Sequence, residues 1–362
     1  MNLHPFIKAP RNTTQAIMLD VIVALIPITI ASYLAYGTLA LTLLGTAITA
    51  AVVTDLVFSG ILFGNWKTSL DGSSVITAML LTFTISPLTP WFVVAFGAAT
   101  AIIFGKILWG GLGKNLFNPA LVGREFMSCI FSSILGASSI WVTSNFIHIP
   151  AQDFFLVQDD EPVKTYLSTL LYNPSGALGE YSPFLIMLGG FYLILRKRIS
   201  WHIPTMLLGV FAMSSIVVGD RVNLDYSFAG LLFGTIFMAT DMPSSPNNAS
   251  GKIYYGAMIG LVTFILVWSG VKFSYLSYSI LILNGFSSII SQVFKPNPWG
   301  KKTNRLQKSE EIALLTTAIL GVTIAVIYLH ENHALIYLLV VYVFYVVLKY
   351  AFDFRHKLKY PI

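Results

Sequence analysis

Three short stretches combine residue types that could do chemistry. The densest is GGLGKNLFNPALVGRE, residues 110–125. Gly110, Gly111 and Gly113 permit a tight backbone, Asn115 and Asn118 offer paired amide donors and acceptors, and Pro119 suits the first turn of a helix. Arg124 and Glu125 follow inside or just beneath an apolar run, where charged groups need partners. The second and third stretches, DGSSVIT (71–77) and ATDMPSSP (239–246), set Asp71 and Asp241 next to hydroxyls. Glycine and proline free the backbone there, so carboxylate and hydroxyls could hold the polar edge of a ligand or a hydrated cation. Plain capping of helix ends is an equal reading for Ser73, Ser74, Ser244 and Ser245. A fourth stretch, DDEPVKTYLSTL (159–170), places Thr165 six residues after Asp159 and directly after Lys164, in the only long polar interval.

The elements that must position these residues are apolar. Of 362 residues, 56% are hydrophobic and 10% charged, where a soluble domain carries roughly 25% charged residues. The composition is that of an integral membrane protein, and no cleavable leader is expected from the polar start MNLHPFIKAPRNTTQ. The single cysteine, Cys129, can build neither a disulfide nor a four-thiolate cluster within the chain. Any redox centre is therefore organic or shared with another subunit.

Twelve apolar segments are predicted, at 16–36, 38–63, 75–87, 91–109, 119–142, 183–195, 199–218, 225–240, 253–271, 274–294, 311–330 and 333–351. They read as helices, because a spanning segment must satisfy its own backbone and no alternating barrel pattern is present. With the N-terminus in the cytoplasm, all of the 22 lysines and arginines except Lys164, Arg221 and Lys272 fall on the cytoplasmic side, Arg124 and Lys106 being counted there. The positive-inside bias puts both termini in the cytoplasm and explains the net charge of +6 without nucleic acid. The acidic loop 143–182 then faces outward. Asp20 and Asp55, nearer the ends of their helices, are expected to be interfacial and solvated.

The first five segments enter from one side and the next five from the other, so a five-segment repeat would be inverted. Segments 75–87 and 225–240 are short and occupy the same place in each half, as paired half-crossing helices around a central site would. The predicted division is 1–142 and 183–294 as two five-helix repeats, 143–182 as an external loop, 295–310 as a basic cytoplasmic linker and 311–362 as an added helical hairpin and tail. His330 and His333 in that hairpin read as turn residues rather than a metal site.

The blocks PRNTTQAIMLDVIVALIP, LDGSSVITAMLLTFTISP, GKILWGGLGKNLFNPALVGREF, SGALGEYSPFLIMLGGFYLILRKRISWHIP, FMATDMPSSP and LILNG, in this order, resemble the RnfD/NqrB family of membrane subunits of ion-translocating electron-transport complexes, RnfD most closely. The resemblance covers residues 5 to about 290. It implies an all-α fold of two inverted five-helix repeats like that of urea transporters, here with a C-terminal two-helix extension. It also implies two flavins: FMN joined by a phosphoester to a threonine on the outer side, and a non-covalent flavin, riboflavin, lodged deeper. Asn115 and Asn118 carry over as contacts of the non-covalent flavin; from the residues themselves, Gly113, Arg124, Ser73 and Ser74 are further cofactor-binding candidates and Asp71 and Asp241 are ion-pathway candidates. Catalytic residues in the usual sense, and metal ligands, are not implied. The implied partners are the other Rnf-type membrane subunits, a periplasmic flavoprotein subunit and membrane lipid, in the inner membrane of a bacterium.

Two features depart from the family pattern. The family's attachment run, Asp then Ser/Thr-Gly-Ala-Thr, is missing; counted back from LGEYS, Asp159 and Thr165 keep its spacing, but Pro162-Val163-Lys164 replaces the small residues. Thr165 is then either a flavin attachment point, with Lys164 beside the phosphate, or a plain loop residue. The added hairpin is expected to pack against a partner subunit. Two functions stay open: a flavin-carrying subunit of an Rnf-type oxidoreductase coupling electron transfer to Na⁺ or H⁺ movement, and a solute transporter, channel or structural paralogue with degenerate flavin sites.

Overall fold

The computed structural model describes residues 14–64, 66, 71–141, 176–219, 224–296 and 305–359. Apolar runs become helices because helix formation satisfies every backbone group within the segment. In chain order these are α1 (Thr14–Tyr36), α2 (Thr38–Phe63), α3 (Ser73–Phe83), α4 (Trp91–Ile102), α5 (Pro119–Ile130), α6 (Pro183–Leu195), α7 (His202–Val218), α8 (Phe228–Phe233), α9 (Ala249–Trp268), α10 (Tyr275–Val293), α11 (Arg305–Glu331) and α12 (Leu335–Lys359). Helix α4 runs on into a π-helical turn, Ile103–Ile107, and α8 into another, Gly234–Met238. No strand occurs among the described residues.

Helix ends follow the residues that can cap them. Gly64, left-handed at φ +63°, closes α2 with its N–H on the Gly60 carbonyl at 3.1 Å. Ser182 and Ser227 cap α6 and α8 by accepting from Leu185 N (3.4 Å) and Gly230 N (2.9 Å). Helices α1, α2, α9, α10, α11 and α12 are long and apolar enough to cross a membrane, and the chain is a multi-pass membrane protein. Both segments expected to be short are short: α3 has 11 residues, and α8 with its π turn ends at Met238. An 11-residue helix rises only about 16 Å, against about 30 Å of hydrocarbon.

The first ten helices pack in matched pairs. Helix α2 lies on α4, and α7 on α9; α4 lies on α5, and α9 on α10. Between the halves, α1 meets α6 and α5 meets α10, while Phe83 of α3 and Phe233 of α8 make an edge-to-face contact at 5.9 Å. The α7–α9 crossing is close because α9 carries Gly256 and Gly260, one turn apart, against the carbonyls of Ile203 and Leu207. A Cβ at position 256 would stand 2.7 Å from the Ile203 oxygen.

Two expectations are corrected. Segment 119–142 is not one span: α5 ends where Phe131 leaves the helix at φ −108°, ψ 38°, and two single-turn helices, Ser132–Leu135 and Ser138–Trp141, follow. Asp20 and Asp55 are not solvated; they are 6% and 0% exposed, because basic side chains reach them from other helices. The hairpin α11–α12 also makes contacts within its own chain. Tyr254 and Thr316 hydroxyls meet at 2.7 Å, Tyr278 Oη lies 3.2 Å from His330 Nδ1, and α12 packs on α5.

Candidate functional site

Residues of GGLGKNLFNP form a turn that joins α4 to α5. The π turn places Leu108 N on the Ile103 carbonyl (3.0 Å) and Gly111 N on the Lys106 carbonyl (3.1 Å). A π turn adds a residue to the helix and is frequent at functional sites. Gly110, Gly111 and Gly113 then take φ of +103°, +95° and +83°, a region costly for residues with a Cβ. The turn ends on Asn118, whose Oδ1 caps α5 by accepting from Ala120 N at 3.0 Å, while its Nδ2 donates to the Met238 carbonyl at 3.2 Å. Asn118 thus ties the start of α5 to the end of the α8 π turn.

Asn115 points its Nδ2 at Asp241 Oδ2 (3.4 Å) and the Phe117 carbonyl (3.3 Å). Asp241 also accepts from Ser244 Oγ at 2.8 Å. Asn115 and Asn118 are both buried. Asn284 of α10 completes the cluster. In the amide orientation that satisfies its neighbours, it accepts from Asn118 N (3.1 Å) and donates to the Ser244 carbonyl (3.2 Å), with Tyr255 Oη 2.6 Å away. Residues 115, 118, 241, 244 and 284 therefore meet where the two halves of the chain join.

Asp71, Ser73 and Ser74 belong to a second cluster. Asp71 Oδ1 accepts from Ser73 N (2.8 Å) and Ser73 Oγ (2.7 Å), so it caps α3 across Gly72. Lys106, from the π turn, places its ammonium 2.8 Å from Asp55 Oδ2, 2.6 Å from Ser73 Oγ and 3.3 Å from Ser74 Oγ. Asp55 also accepts from Ser59 Oγ (3.0 Å) and from Ser74 Oγ. Burying both charges is tolerable only because each is paired and further hydrogen-bonded. A third cluster joins the halves at α1: Asp20 receives Arg198 Nε at 2.6 Å, Arg196 Nη2 at 3.0 Å and Tyr192 Oη at 3.1 Å.

Arg124 corrects the sequence reading of its side. Its guanidinium donates to the carbonyl of Phe273, just before α10, and it lines a small cavity with Thr84, Glu180, Tyr275 and Ser277. That is the end of the bundle opposite the link from α8 to α9. Arg124 reaches it because α5 starts at Asn118, partway across the bundle, and not at one face. In the same cavity Glu180 accepts from Ser227 Oγ at 2.8 Å, and Ser277 Oγ is buried with no partner among the described residues.

Residues 1–300 match the profile of the NQR2, RnfD, RnfE family. The chain belongs to this family. Among curated relatives, it is 34% identical over 301 residues to the D-type component of the Na⁺-translocating ferredoxin:NAD⁺ oxidoreductase complex of Acetobacterium woodii, covering 82% of this chain and 93% of the relative. It is 30% identical over 317 residues to the D-type component of the proton-translocating ferredoxin:NAD⁺ oxidoreductase complex of Clostridium ljungdahlii, covering 82% and 95%. It is 30% identical over 285 residues to the D-type component of the ion-translocating oxidoreductase complex of Methanosarcina acetivorans, covering 78% and 91%.

Within this family framework, the predicted site residues divide into separate groups. Asn115, Asn118 and Asp241 share one cluster with the Gly113 turn; Ser73, Ser74 and Asp71 share another; Arg124 stands in the cavity. Asp159, Lys164 and Thr165 lie outside the described residues. Sequence reasoning missed Lys106, Asp55 and Asn284 as cluster members. The available signal was a lone polar or charged side chain within each of three apolar runs, FGKILW, VTDLVF and LILNGF.

Proposed function

We propose that the chain is the flavin-carrying membrane subunit of an Rnf-type ion-translocating oxidoreductase, relaying electrons across the membrane in step with movement of Na⁺ or H⁺. The named relatives specify sodium in one case and protons in the other, so the reading covers both ions. The observation that carries the flavin assignment is Asn115: a buried amide, presented by a glycine turn beside the rings of Trp109 and Phe117, which stand 6.0 Å apart. A flavin ring offers an N–H and carbonyls along one edge and an aromatic face, and this donor set fits both. When bound, a flavin supplies the electron relay itself. The residues of the chain hold the ring edge at Asn115, anchor the turn through Asn118 and Asn284, and exclude water with the surrounding apolar side chains.

The same reading takes α1–α5 and α6–α10 as two inverted repeats, with α11–α12 added, making twelve membrane segments. Its support is the matched pairing of second with fourth and fourth with fifth helices in each half, and of first with first and fifth with fifth between halves. Asp241 and the Asp55–Lys106–Asp71 cluster are the ion-pathway groups of this proposal, the latter with hydroxyls from Ser73 and Ser74. Thr165 is the FMN attachment point of this proposal. The other membrane subunits of the complex and a periplasmic flavoprotein are the partners, in a bacterial inner membrane with both chain termini cytoplasmic.

The test is made in membrane vesicles from cells carrying or lacking the chain. Ferredoxin-dependent NAD⁺ reduction and the accompanying uptake of Na⁺ or H⁺ should both vanish without it and return on complementation. Retention of both activities would overturn the proposal.

A further inference from the structure

Beyond residue 300, where the family match ends, helix α12 makes one concentrated set of contacts. Tyr342 Oη donates to the Phe104 carbonyl at 2.9 Å and accepts from Trp109 Nε1 at 3.2 Å. Its ring meets Phe117 edge-on at 5.7 Å and Phe126 at 6.5 Å. Tyr345 lies tilted against Trp109 at 6.2 Å, and Lys349 sets its ammonium 3.8 Å from the centre of the same indole. Positions 342, 345 and 349 share one helix face. The neighbouring faces are bare: Val341, Phe344 and Leu348 are 67%, 66% and 55% exposed.

These contacts bracket the glycine turn. Phe104 precedes it, Trp109 opens it and Phe117 closes it, and Tyr342 touches all three. Three glycines at positive φ give the segment 110–113 little stiffness of its own, since glycine has the widest backbone freedom. In an apolar surround, a hydroxyl that both donates and accepts is a strong local anchor. We propose that Tyr342 is a positioning residue: with Lys349 it clamps the turn from α12 and holds the conformation that presents Asn115 to its ligand. The ligand half of this inference rests on the flavin reading above; the clamp half does not.

The test uses the full chain in detergent, unsubstituted and as Tyr342→Phe, Tyr342→Leu and Lys349→Met, with Tyr337→Phe as a control on an exposed part of α12. Two quantities are read: hydrogen exchange of the backbone at 108–118, and riboflavin affinity by equilibrium dialysis. Loss of even one of its two hydrogen bonds, worth about 0.5–1.5 kcal/mol, should speed exchange in Tyr342→Phe by at least roughly two- to twelvefold and weaken riboflavin by a similar factor. Tyr342→Leu should exceed it, Lys349→Met should act in the same direction, and the control should match the unsubstituted chain. Unchanged exchange in both Tyr342 variants would overturn the clamp. Faster exchange with unchanged riboflavin affinity would overturn the positioning role. If the unsubstituted chain takes up no riboflavin, the flavin reading fails, and exchange at 108–118 alone decides the clamp.

Discussion

Lys106 Nζ lies 2.8 Å from Asp55 Oδ2, with the lysine side chain 6% exposed and the aspartate 0%. The pair bridges the π turn after α4 to α2, and the hydroxyls of Ser59, Ser73 and Ser74 complete its solvation. Removing one member leaves the other charged, buried and unpaired. Lys106→Met should therefore destabilise the chain by about 3–5 kcal/mol, read as a lowered midpoint of unfolding in detergent. The double substitution Lys106→Met with Asp55→Leu should recover much of that loss, because it removes both desolvated charges. A double variant less stable than Lys106→Met alone would contradict this account.

The two arginines on Asp20 should differ in weight. Arg198 is 8% exposed at the side chain, whereas Arg196 is 53% exposed. An exposed ion pair contributes little, whereas breaking a buried one costs about 3–5 kcal/mol. Arg198→Ala should thus lower stability much more than Arg196→Ala in the same unfolding assay. Equal effects would show that burial does not set the strength of this junction between α1 and the end of α6.

Gly256 sits where α9 crosses α7, against the Ile203 backbone. A carbonyl oxygen cannot move aside as a flexible side chain can. Gly256→Val should force the helices apart at a cost of about 1–3 kcal/mol, whereas Gly209→Val on α7, where the space a Cβ would take is open, should cost less. Comparing the unfolding midpoints of the two variants checks the crossing.

Asn284 should act through Asn118. Asn284→Leu removes the group that accepts from Asn118 N and donates to the Ser244 carbonyl, leaving a buried donor and acceptor unmet at about 1–3 kcal/mol. The loss should appear both as reduced stability and as weaker riboflavin retention, since the start of α5 loses its tie to α10. Reduced stability with full riboflavin retention would separate Asn284 from the ligand site.

Much of this architecture was legible in the sequence because each helix is an apolar run and a membrane leaves the backbone no other choice. The shortness of α3 and α8 and the glycine turn before Asn118 were legible for the same reason. The buried charges were not. A hydropathy window averages one lysine away, and nothing local tells Lys106 that its partner is Asp55, 51 residues earlier. Arg124 was assigned to the wrong side because a sequence shows where an apolar run begins, not how deep in the bundle its first turn lies. The break at Phe131 escaped notice because it carries no glycine or proline. Asn284 left a signal, a lone amide in LILNGF, but its meaning depends on residues from three other segments.

Flavin content tests whether this chain carries flavin at Asn115. The chain is purified from a host that also expresses an enzyme able to join FMN to threonine, and flavin is quantified before and after denaturation, with Asn115→Leu in parallel. Flavin should be released on denaturation of the unsubstituted chain and be largely lost from Asn115→Leu; flavin remaining on the denatured chain, with a Thr165 peptide heavier by FMN, would add the covalent site. A chain that purifies folded without any flavin, or one whose released flavin is unaffected by Asn115→Leu, would contradict flavin binding at Asn115.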